Sequence, residues 1–314
     1  MTSCIAFHSY KGGTGKTTIA ANLAALLAKK GYRVFLLDLD VYAPSLQAYF
    51  GTKPKRWIND FLNGTAEVGD VVMDTTHMIE EINSNKKIAG KLWVGFCSSR
   101  KEEIYKLEGS TGGGKQDSSK IQLLRRFILL REQLISLHDA EYIIIDTSPG
   151  IRYWSINALA VADTLFLTLK MGDLDIDGTR KMADEIYGSF TKFGAKSYLV
   201  MNRVAGYCVP HYDIMSASQI SSPATSSTTT TDESRSHHDQ KSAITVQQQK
   251  DETNTISNTL SSEVGMDVIS SIACYCDIQF TNKEFLTAIK YPDHPFAKQI
   301  ERLIEKMKTM PTKA

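Results

Sequence analysis

Short apolar runs alternate along the chain with longer segments in which apolar residues recur every three or four positions. The runs lie at residues 4–9, 32–40, 91–98, 140–148, 163–170, 196–204 and 266–275, and each is typical of a buried β-strand. Segments 16–30, 119–138, 153–162 and 175–193 are typical of helices that bury one face. This alternation predicts a doubly wound α/β fold, with a mostly parallel sheet of about seven strands and helices on both faces.

Two segments interrupt the alternation. Residues 107–120 are rich in Gly, Ser and Lys and are predicted to form a flexible loop, because their GGGK follows no predicted strand and precedes no Thr. Residues 210–262 are dominated by Ser, Thr, Gln and Asn, with too few large apolar residues to offset the entropy of ordering. We interpret residues 1–314 as a single domain with a disordered insertion at 210–262 that contains a solvated His237 and His238 pair.

Composition excludes few classes of function. The 36 basic and 35 acidic residues give a net charge of +1, so no overall field attracts nucleic acid or anionic lipid. The N-terminus lacks the basic and apolar pattern of a secretion signal, and no apolar stretch reaches about 18 residues. These features predict a cytoplasmic protein.

The five cysteines are an odd number in a chain without a secretion signal, which indicates reduced thiols. Cys274 and Cys276 form the only close pair, and alternation along a strand would place both side chains on one face. Closed metal sites usually draw on four ligands, often from C-x-x-C pairs. We therefore interpret the two residues as small buried thiols and keep metal ligation as the alternative.

A phosphate-binding loop is predicted at the segment KGGTGKTT, between the first predicted strand and the first predicted helix. Glycines let successive backbone N–H groups converge on a phosphate, and the start of the helix adds partial positive charge. Lys16 is expected to contact the β- and γ-phosphates and Thr17 to ligate Mg2+, although Tyr10 replaces the usual first glycine. The predicted nucleotide contacts in the loop are Gly12, Gly13, Thr14, Gly15, Lys16, Thr17 and Thr18.

Carboxylates follow two other predicted strands. Asp38 and Asp40 come at the end of the second strand, and Asp146 at the end of the fourth. Ligands bind at the carboxyl ends of the strands in open α/β sheets, and Mg2+ prefers hard oxygen ligands. We therefore predict a metal site from Thr17 with Asp38 or Asp146. The alternative interpretation of Asp40 is a solvated loop residue without a role in the site.

The form K-G-G-x-G-K-[ST], with Lys11 ahead of the double glycine, resembles the deviant Walker A motif of the ParA/MinD family of P-loop ATPases. The resemblance implies that Lys11 reaches the phosphates of the facing subunit in a nucleotide-sandwich dimer. FLLDLDVYAPSL and YIIIDTSPGI match the family's switch segments, which implies that Asp40 orients water and Asp146 holds Mg2+ through water. LVMNRV matches a strand-end asparagine that contacts adenine, which implies that role for Asn202, whose alternative is a plain turn residue.

The resemblance covers the chain outside the insertion and implies an ATPase that forms a homodimer with ATP and Mg2+ bound. Its catalytic residues would be Lys11, Lys16 and Asp40. Its implied role is ParA/MinD-like partitioning or positioning, with an unidentified cargo or activator protein. LDVYAPS is also similar to a segment of Mrp-type iron-sulfur carriers, so such a carrier or another targeting or chaperone ATPase is the alternative. A small-molecule ligase or kinase on the same fold is a third hypothesis.

Two surfaces bear on partners. A set of basic residues offers a face for DNA but is more typical of a solvated helix surface: Arg100, Lys101, Arg125, Arg126 and Arg131. DNA therefore stays open as a partner. The C-terminal helix has an apolar face, yet it matches the family's last domain helix and not a membrane-targeting helix, so a membrane partner is not expected.

Overall fold

The structure is a computed structural model that describes residues 2–100, 102, 116–192, 194–204, 255–275, 277–278 and 285–310. Residues 107–115, most of the predicted insertion with His237 and His238, and Lys101, Cys208 and Cys276 lie outside the described residues. Within the described part, eight strands form one sheet. The strands are β1 (Ser3–His8), β2 (Arg33–Leu39), β3 (Val72–Asp74), β4 (Lys91–Gly95), β5 (Tyr142–Thr147), β6 (Thr164–Leu169), β7 (Lys196–Val204) and β8 (Val268–Ala273).

The sheet has the order β3-β4-β2-β5-β1-β6-β7-β8. All neighbours pair in parallel except β3, which is antiparallel to β4. The predicted α/β fold with a mostly parallel sheet is confirmed, and each of the seven predicted strands is present. The additional strand, β3, has three residues at the sheet edge and is too short to show a periodic pattern.

Helices cover both faces of the sheet. They are α1 (Lys16–Lys29), α2 (Leu46–Phe50), α3 (Ile58–Leu62), α4 (Val68–Val71), α5 (Thr76–Ile82), α6 (Gln116–His138), α7 (Tyr153–Ala160), α8 (Asp173–Met182), α9 (Gly188–Lys192), α10 (255–264), α11 (Thr287–Lys290) and α12 (Pro295–Thr309), with a π-helical turn at Ala183–Tyr187. Side chains from α6, α7, α8 and α10 build the core on one face, and those from α1, α11 and α12 build it on the other. None of the helices described here combines the length and apolarity that a membrane crossing needs.

Two helices extend into segments that the sequence predicted to be irregular. Helix α6 begins at Gln116, inside the predicted loop 107–120. Helix α10 occupies the last part of the predicted insertion, and its Leu260 and Val264 are buried in the core. The predicted boundary at residue 262 is therefore wrong for this part, because a polar composition concealed two apolar residues spaced four apart on one helix face.

Candidate nucleotide-binding site

The turn between β1 and α1 is shaped by its glycines and held by two neighbouring strands. Gly13 and Gly15 have φ values of 72° and 90°, in the left-handed region that favours glycine. A Cβ on Gly15 would lie 2.2 Å from Nδ2 of Asn202, which donates a hydrogen bond of 2.7 Å to the Thr14 carbonyl oxygen. The hydroxyl oxygen of Thr14 lies 3.0 Å from that of Thr168 on β6. The loop is therefore fixed before any ligand binds.

Lys16 folds back over this loop. It is only 6% exposed, and its Nζ donates a 3.0 Å hydrogen bond to Oγ of Ser9. Ser9 in turn donates to the Lys11 carbonyl oxygen at 2.7 Å. The sequence did not single out Ser9, which follows directly after β1, but its hydroxyl holds the Lys16 ammonium beside the loop.

Thr17 and Asp146 form the contact that best fits a metal ion. Thr17 Oγ1 donates to Oδ2 of Asp146 at 2.5 Å, and Asp146 is 1% exposed. Its other oxygen, Oδ1, is buried without a hydrogen-bond partner among the described residues. Burial raises the pKa of Asp146 to about 6, although Lys16 and Thr17 lower it. A hydroxyl and a buried carboxylate with an unused oxygen are donors that suit Mg2+.

Asp38 has a different environment from Asp146, which lies opposite it on the paired strand β5. It is fully buried, and its two oxygens accept backbone N–H bonds of 3.1 Å from Asp40 and Leu46. Burial and the nearby Asp146 raise the pKa of Asp38 well above its usual range. These bonds hold the start of α2, and direct metal ligation by Asp38 stays a prediction.

Asp40 connects the loops that follow β2 and β5. Its Oδ1 accepts hydrogen bonds from Ser148 Oγ at 2.8 Å and from the Ala43 N–H at 3.1 Å. The side chain also lines the cavity beside the phosphate-binding loop. The structure therefore places Asp40 with Lys16 and Thr17 around one space, and it adds Ser148, which the sequence did not single out.

Two adjoining cavities lie at this edge of the sheet. One, of about 410 Å³, is lined by the glycine loop, Lys16, Thr17 and Asp40, and also by Tyr42 and Arg152. The second, of about 230 Å³, is lined by Asn202 and by aromatic residues that the sequence did not identify, namely Tyr49, Tyr275, Phe285 and Phe296. A polar cavity joined to an aromatic cavity has the chemistry that a nucleotide's phosphates and base require.

Lys11 does not line either cavity. It is exposed, and its Nζ lies 5.9 Å from the centroid of the Tyr10 ring. In the described part of the chain, no carboxylate forms an ion pair with Lys11. Tyr10 packs against Gly178 on α8, where an added Cβ would lie 2.0 Å from its ring.

His8 lies under the loop and is held neutral. Thr147 Oγ1 donates to the Phe7 carbonyl oxygen at 2.8 Å and lies 2.6 Å from His8 Nδ1. Burial and the charge of Lys16 lower the pKa of His8 to about 3. Lys16 is therefore the buried positive charge that faces the phosphate cavity.

The basic residues considered for DNA do not form one free face. Arg131 donates two 3.0 Å hydrogen bonds to Asp163 and one of 2.9 Å to the Val161 carbonyl oxygen, so its charge is used within the fold. The guanidinium of Arg126 lies 5.8 Å from the centroid of the Phe61 ring. Arg100 and Arg125 are exposed.

Known proteins resemble this chain in sequence and in fold. The flagellum site-determining protein YlxH of Helicobacter pylori is 41% identical over 153 residues, which are 48% of this chain and 42% of that protein. An iron-sulfur cluster carrier protein of Aquifex aeolicus is 58% identical over 52 residues, which are 17% of this chain and 14% of that protein. The chain spans about half or less of the length of the first curated relatives it matches.

The fold match extends over nearly the whole chain. The structure of the septum site-determining protein MinD complexed with Mg-ADP, from Pyrococcus horikoshii, has a TM-score of 0.63 at 17% identity and covers 98% of this chain and 97% of that one. A family model described as an AAA domain matches residues 2–192. Since that match includes more than half of the chain, from β1 to the helices after β6, the protein belongs to the ParA/MinD family of P-loop ATPases.

Proposed function

We propose that this protein binds ATP with Mg2+, hydrolyses it to ADP and phosphate, and acts as an ATP-driven dimerisation switch. The observation that carries this proposal is the Thr17–Asp146 contact of 2.5 Å, together with the unpartnered Asp146 Oδ1. A bound cation would compensate the negative charge of this buried carboxylate. The adjacent loop suits a nucleotide phosphate, which binds together with such a cation. The relative solved with Mg-ADP adds support for this pair of ligands.

The residues of the loop have separate tasks in binding. Thr17 and Asp146 would hold Mg2+, which when bound offsets negative charge on the phosphates. Lys16 already lies beside the cavity, so it can exchange Ser9 for a phosphate oxygen without unfolding the loop. Asn202 holds the loop through Thr14 and lines the aromatic cavity, which fits its expected position beside adenine.

Hydrolysis requires an oriented water and no covalent step on the protein. Asp40 fits this task, because Ser148 and Ala43 hold one of its oxygens while the side chain lines the phosphate cavity. A carboxylate fixed in this way accepts a hydrogen bond from the attacking water, and this bond orients a lone pair of the water oxygen toward phosphorus. Ser148 belongs to the loop after β5, so this hydrogen bond joins the two loops that flank the phosphates.

Lys11 is the feature that favours a dimer. It is exposed and directly precedes Gly12, which lines the phosphate cavity, and no described carboxylate forms an ion pair with it. An ammonium that serves no phosphate of its own subunit is available to a phosphate held by a second copy of the chain. The ATP phosphates in each subunit would then bind the Lys11 ammonium of the other subunit and so stabilise the dimer.

The biological role that we favour is positioning or partitioning of a cargo, through an activator protein that is not identified. Names of the relatives support it, since one is a flagellum site-determining protein and another a septum site-determining protein. The iron-sulfur carrier alternative is weaker, because its match covers 14% of that relative. The half-buried Cys274 directly follows β8, and its potential partner Cys276 lies outside the described residues.

Replacing Lys16 tests the central assignment. Lys16→Ala should reduce ATP affinity by about tenfold or more and abolish phosphate release, because charge-assisted hydrogen bonds to phosphate are lost. Nucleotide binding would be measured by calorimetry, and phosphate release by a coupled assay with and without Mg2+. Lys86→Ala, at an exposed lysine that lines neither cavity, is the matched control. Unchanged turnover in Lys16→Ala would overturn the proposal.

Lys11 and Asp40 should separate dimerisation from hydrolysis. Lys11→Ala should retain nucleotide affinity within about threefold while losing ATP-dependent dimers in light scattering, because its charge serves the other subunit. Asp40→Ala should keep dimers and slow their decay, because water is no longer oriented. Lys53→Ala, at another exposed lysine, should change neither ATP-dependent dimer formation nor the rate of dimer decay. Dimers of Lys11→Ala that form as in the unaltered protein would contradict the switch mechanism.

A further inference from the structure

Arg203 occupies an irregular position at the end of β7. In the pairing with β8, Asn202 lies opposite Ile272 and Val204 opposite Ala273, so Arg203 is an extra residue in the register. Its φ is 56°, in the left-handed region that few non-glycine residues adopt. Bulges of this kind redirect a side chain and often occur beside functional sites. Arg203 is accordingly exposed, although Asn202 and Val204 on either side are 7% and 4% exposed.

The redirected side chain lies where the two cavities meet. Four residues line both of them, namely Gly15, Thr18, Tyr49 and Arg203. Thr18 Oγ1 lies 2.7 Å from the Tyr49 hydroxyl oxygen, which fixes one side of the junction. Arg203 is the charged member of this set, so the junction has a positive side chain and no negative one.

The guanidinium has no competing anion in the described part of the chain. No described acceptor forms a hydrogen bond or ion pair with it. Burial raises the pKa of Tyr49 to about 12, and the positive charge of Arg203 opposes this increase, which indicates that the guanidinium is near the Tyr49 hydroxyl. The group is therefore close to the junction and free to bind a ligand there.

A nucleotide that fills both cavities must place its middle at this junction. With the base among the aromatic residues and the β- and γ-phosphates on the loop, the ribose and the α-phosphate lie between them. We propose that Arg203 is a nucleotide-contacting residue that donates hydrogen bonds to the α-phosphate of the nucleotide bound in its own subunit. A guanidinium presents parallel N–H groups that match phosphate oxygens, and this role rests on the proposed binding of ATP.

Arg203→Asn tests this contact, because asparagine tolerates the left-handed backbone but carries no charge. Affinities for ADP, AMP and adenosine would be measured by competition with a fluorescent ADP analogue. ADP and AMP should each bind about tenfold more weakly, since a hydrogen bond to a charged group is lost, while adenosine should be unaffected. Arg203→Lys, which keeps the charge without the planar fork, should lose less affinity.

Arg56→Asn is the matched control, because Arg56 is an exposed arginine that lines neither nucleotide cavity. Unchanged ADP and AMP affinity in Arg203→Asn would overturn the inference. Equal weakening of adenosine would also overturn it, since Arg203 would then only shape the base cavity. Failure of the unaltered protein to bind ADP would instead overturn the proposed function, which keeps the two failures distinguishable.

Discussion

At the scale of single residues, Gly15 shows how little room the phosphate-binding loop leaves. Gly15→Ala would place a Cβ 2.2 Å from Asn202 Nδ2 at a φ of 90°. We expect a loss of stability of about 1–3 kcal/mol from the strained backbone and the displaced amide, together with weaker ADP binding. Urea unfolding and calorimetry measure the two effects.

Gly69→Ala is the control for that variant, since a Cβ at Gly69 meets no atom within 4 Å and the residue lies inside a helix. It should change stability by less than about 1 kcal/mol, in the stabilising direction. If Gly15→Ala were equally harmless, Asn202 would not limit the loop.

His8 gives a prediction for pH dependence. The folded protein keeps His8 neutral down to about pH 3, its lowered pKa, whereas an unfolded chain protonates it near about 6.5. Because the unfolded state takes up this proton first, His8 makes stability fall as the pH decreases from about 6.5 toward 3. His8→Gln should therefore reduce the slope of unfolding free energy against pH by about 1.4 kcal/mol per pH unit between about pH 4 and 6.

Urea unfolding across this pH range measures that slope. Asp146, with its pKa raised by burial to about 6, contributes in the opposite direction, but it does so in both proteins and cancels in their difference. His77→Gln, at an exposed histidine, should leave the slope unchanged. Equal slopes for His8→Gln and the unaltered protein would show that His8 is protonated normally in the folded state.

At the scale of elements, Arg131 joins α6 to the start of β6. Its Nη2 donates to both oxygens of Asp163 and its Nη1 donates to the Val161 carbonyl oxygen, two directions that the single nitrogen of lysine cannot serve together, and both side chains are mostly buried. Arg131→Lys should lower the free energy of unfolding by about 1–2 kcal/mol without changing ADP affinity. Arg125→Lys, at an exposed position on the same helix, is the control, and an equal effect of the two changes would contradict the structural role.

The elements that the sequence predicted are those with enough residues to show a period. The buried strands and the longer helices, such as α1 and α6, repeat their apolar pattern over several turns or positions. Helices α2 to α5 have between four and seven residues and depend on tertiary contacts, such as the Asp38 bond to the Leu46 N–H. Their local sequence therefore contains too little periodicity to predict them.

At the scale of the whole molecule, we propose that residues 205–254 are an insertion that the core does not need. Deleting residues 210–252, short of α10, should leave the melting temperature within about 4 °C and ADP affinity unchanged, because few large apolar residues are removed. A matched deletion of residues 255–264 removes the buried Leu260 and Val264 and should destabilise the protein strongly. Similar melting temperatures for the two deletions would contradict this division.

The site was predictable where chemistry is local in sequence. The loop from Gly12 to Thr18 sits on consecutive residues, and Asp40 and Asp146 end strands that the apolar pattern already located. The aromatic cavity was not predictable, because Tyr49, Phe285 and Phe296 come from distant segments that only the fold brings together. The role of Arg203 was not predictable either, because the register shift that leaves it unpaired between Asn202 and Val204 arises only when β7 pairs with β8.

Tyr10 and Gly178 have a consequence for how related sequences can diverge. The Tyr10 ring occupies the space that a side chain at residue 178 would need, at 2.0 Å from an added Cβ. A side chain at residue 178 therefore requires the ring at position 10 to move or to be replaced by a smaller group. Homologues with the usual loop glycine at position 10 are accordingly expected to be the ones that tolerate a larger residue on α8.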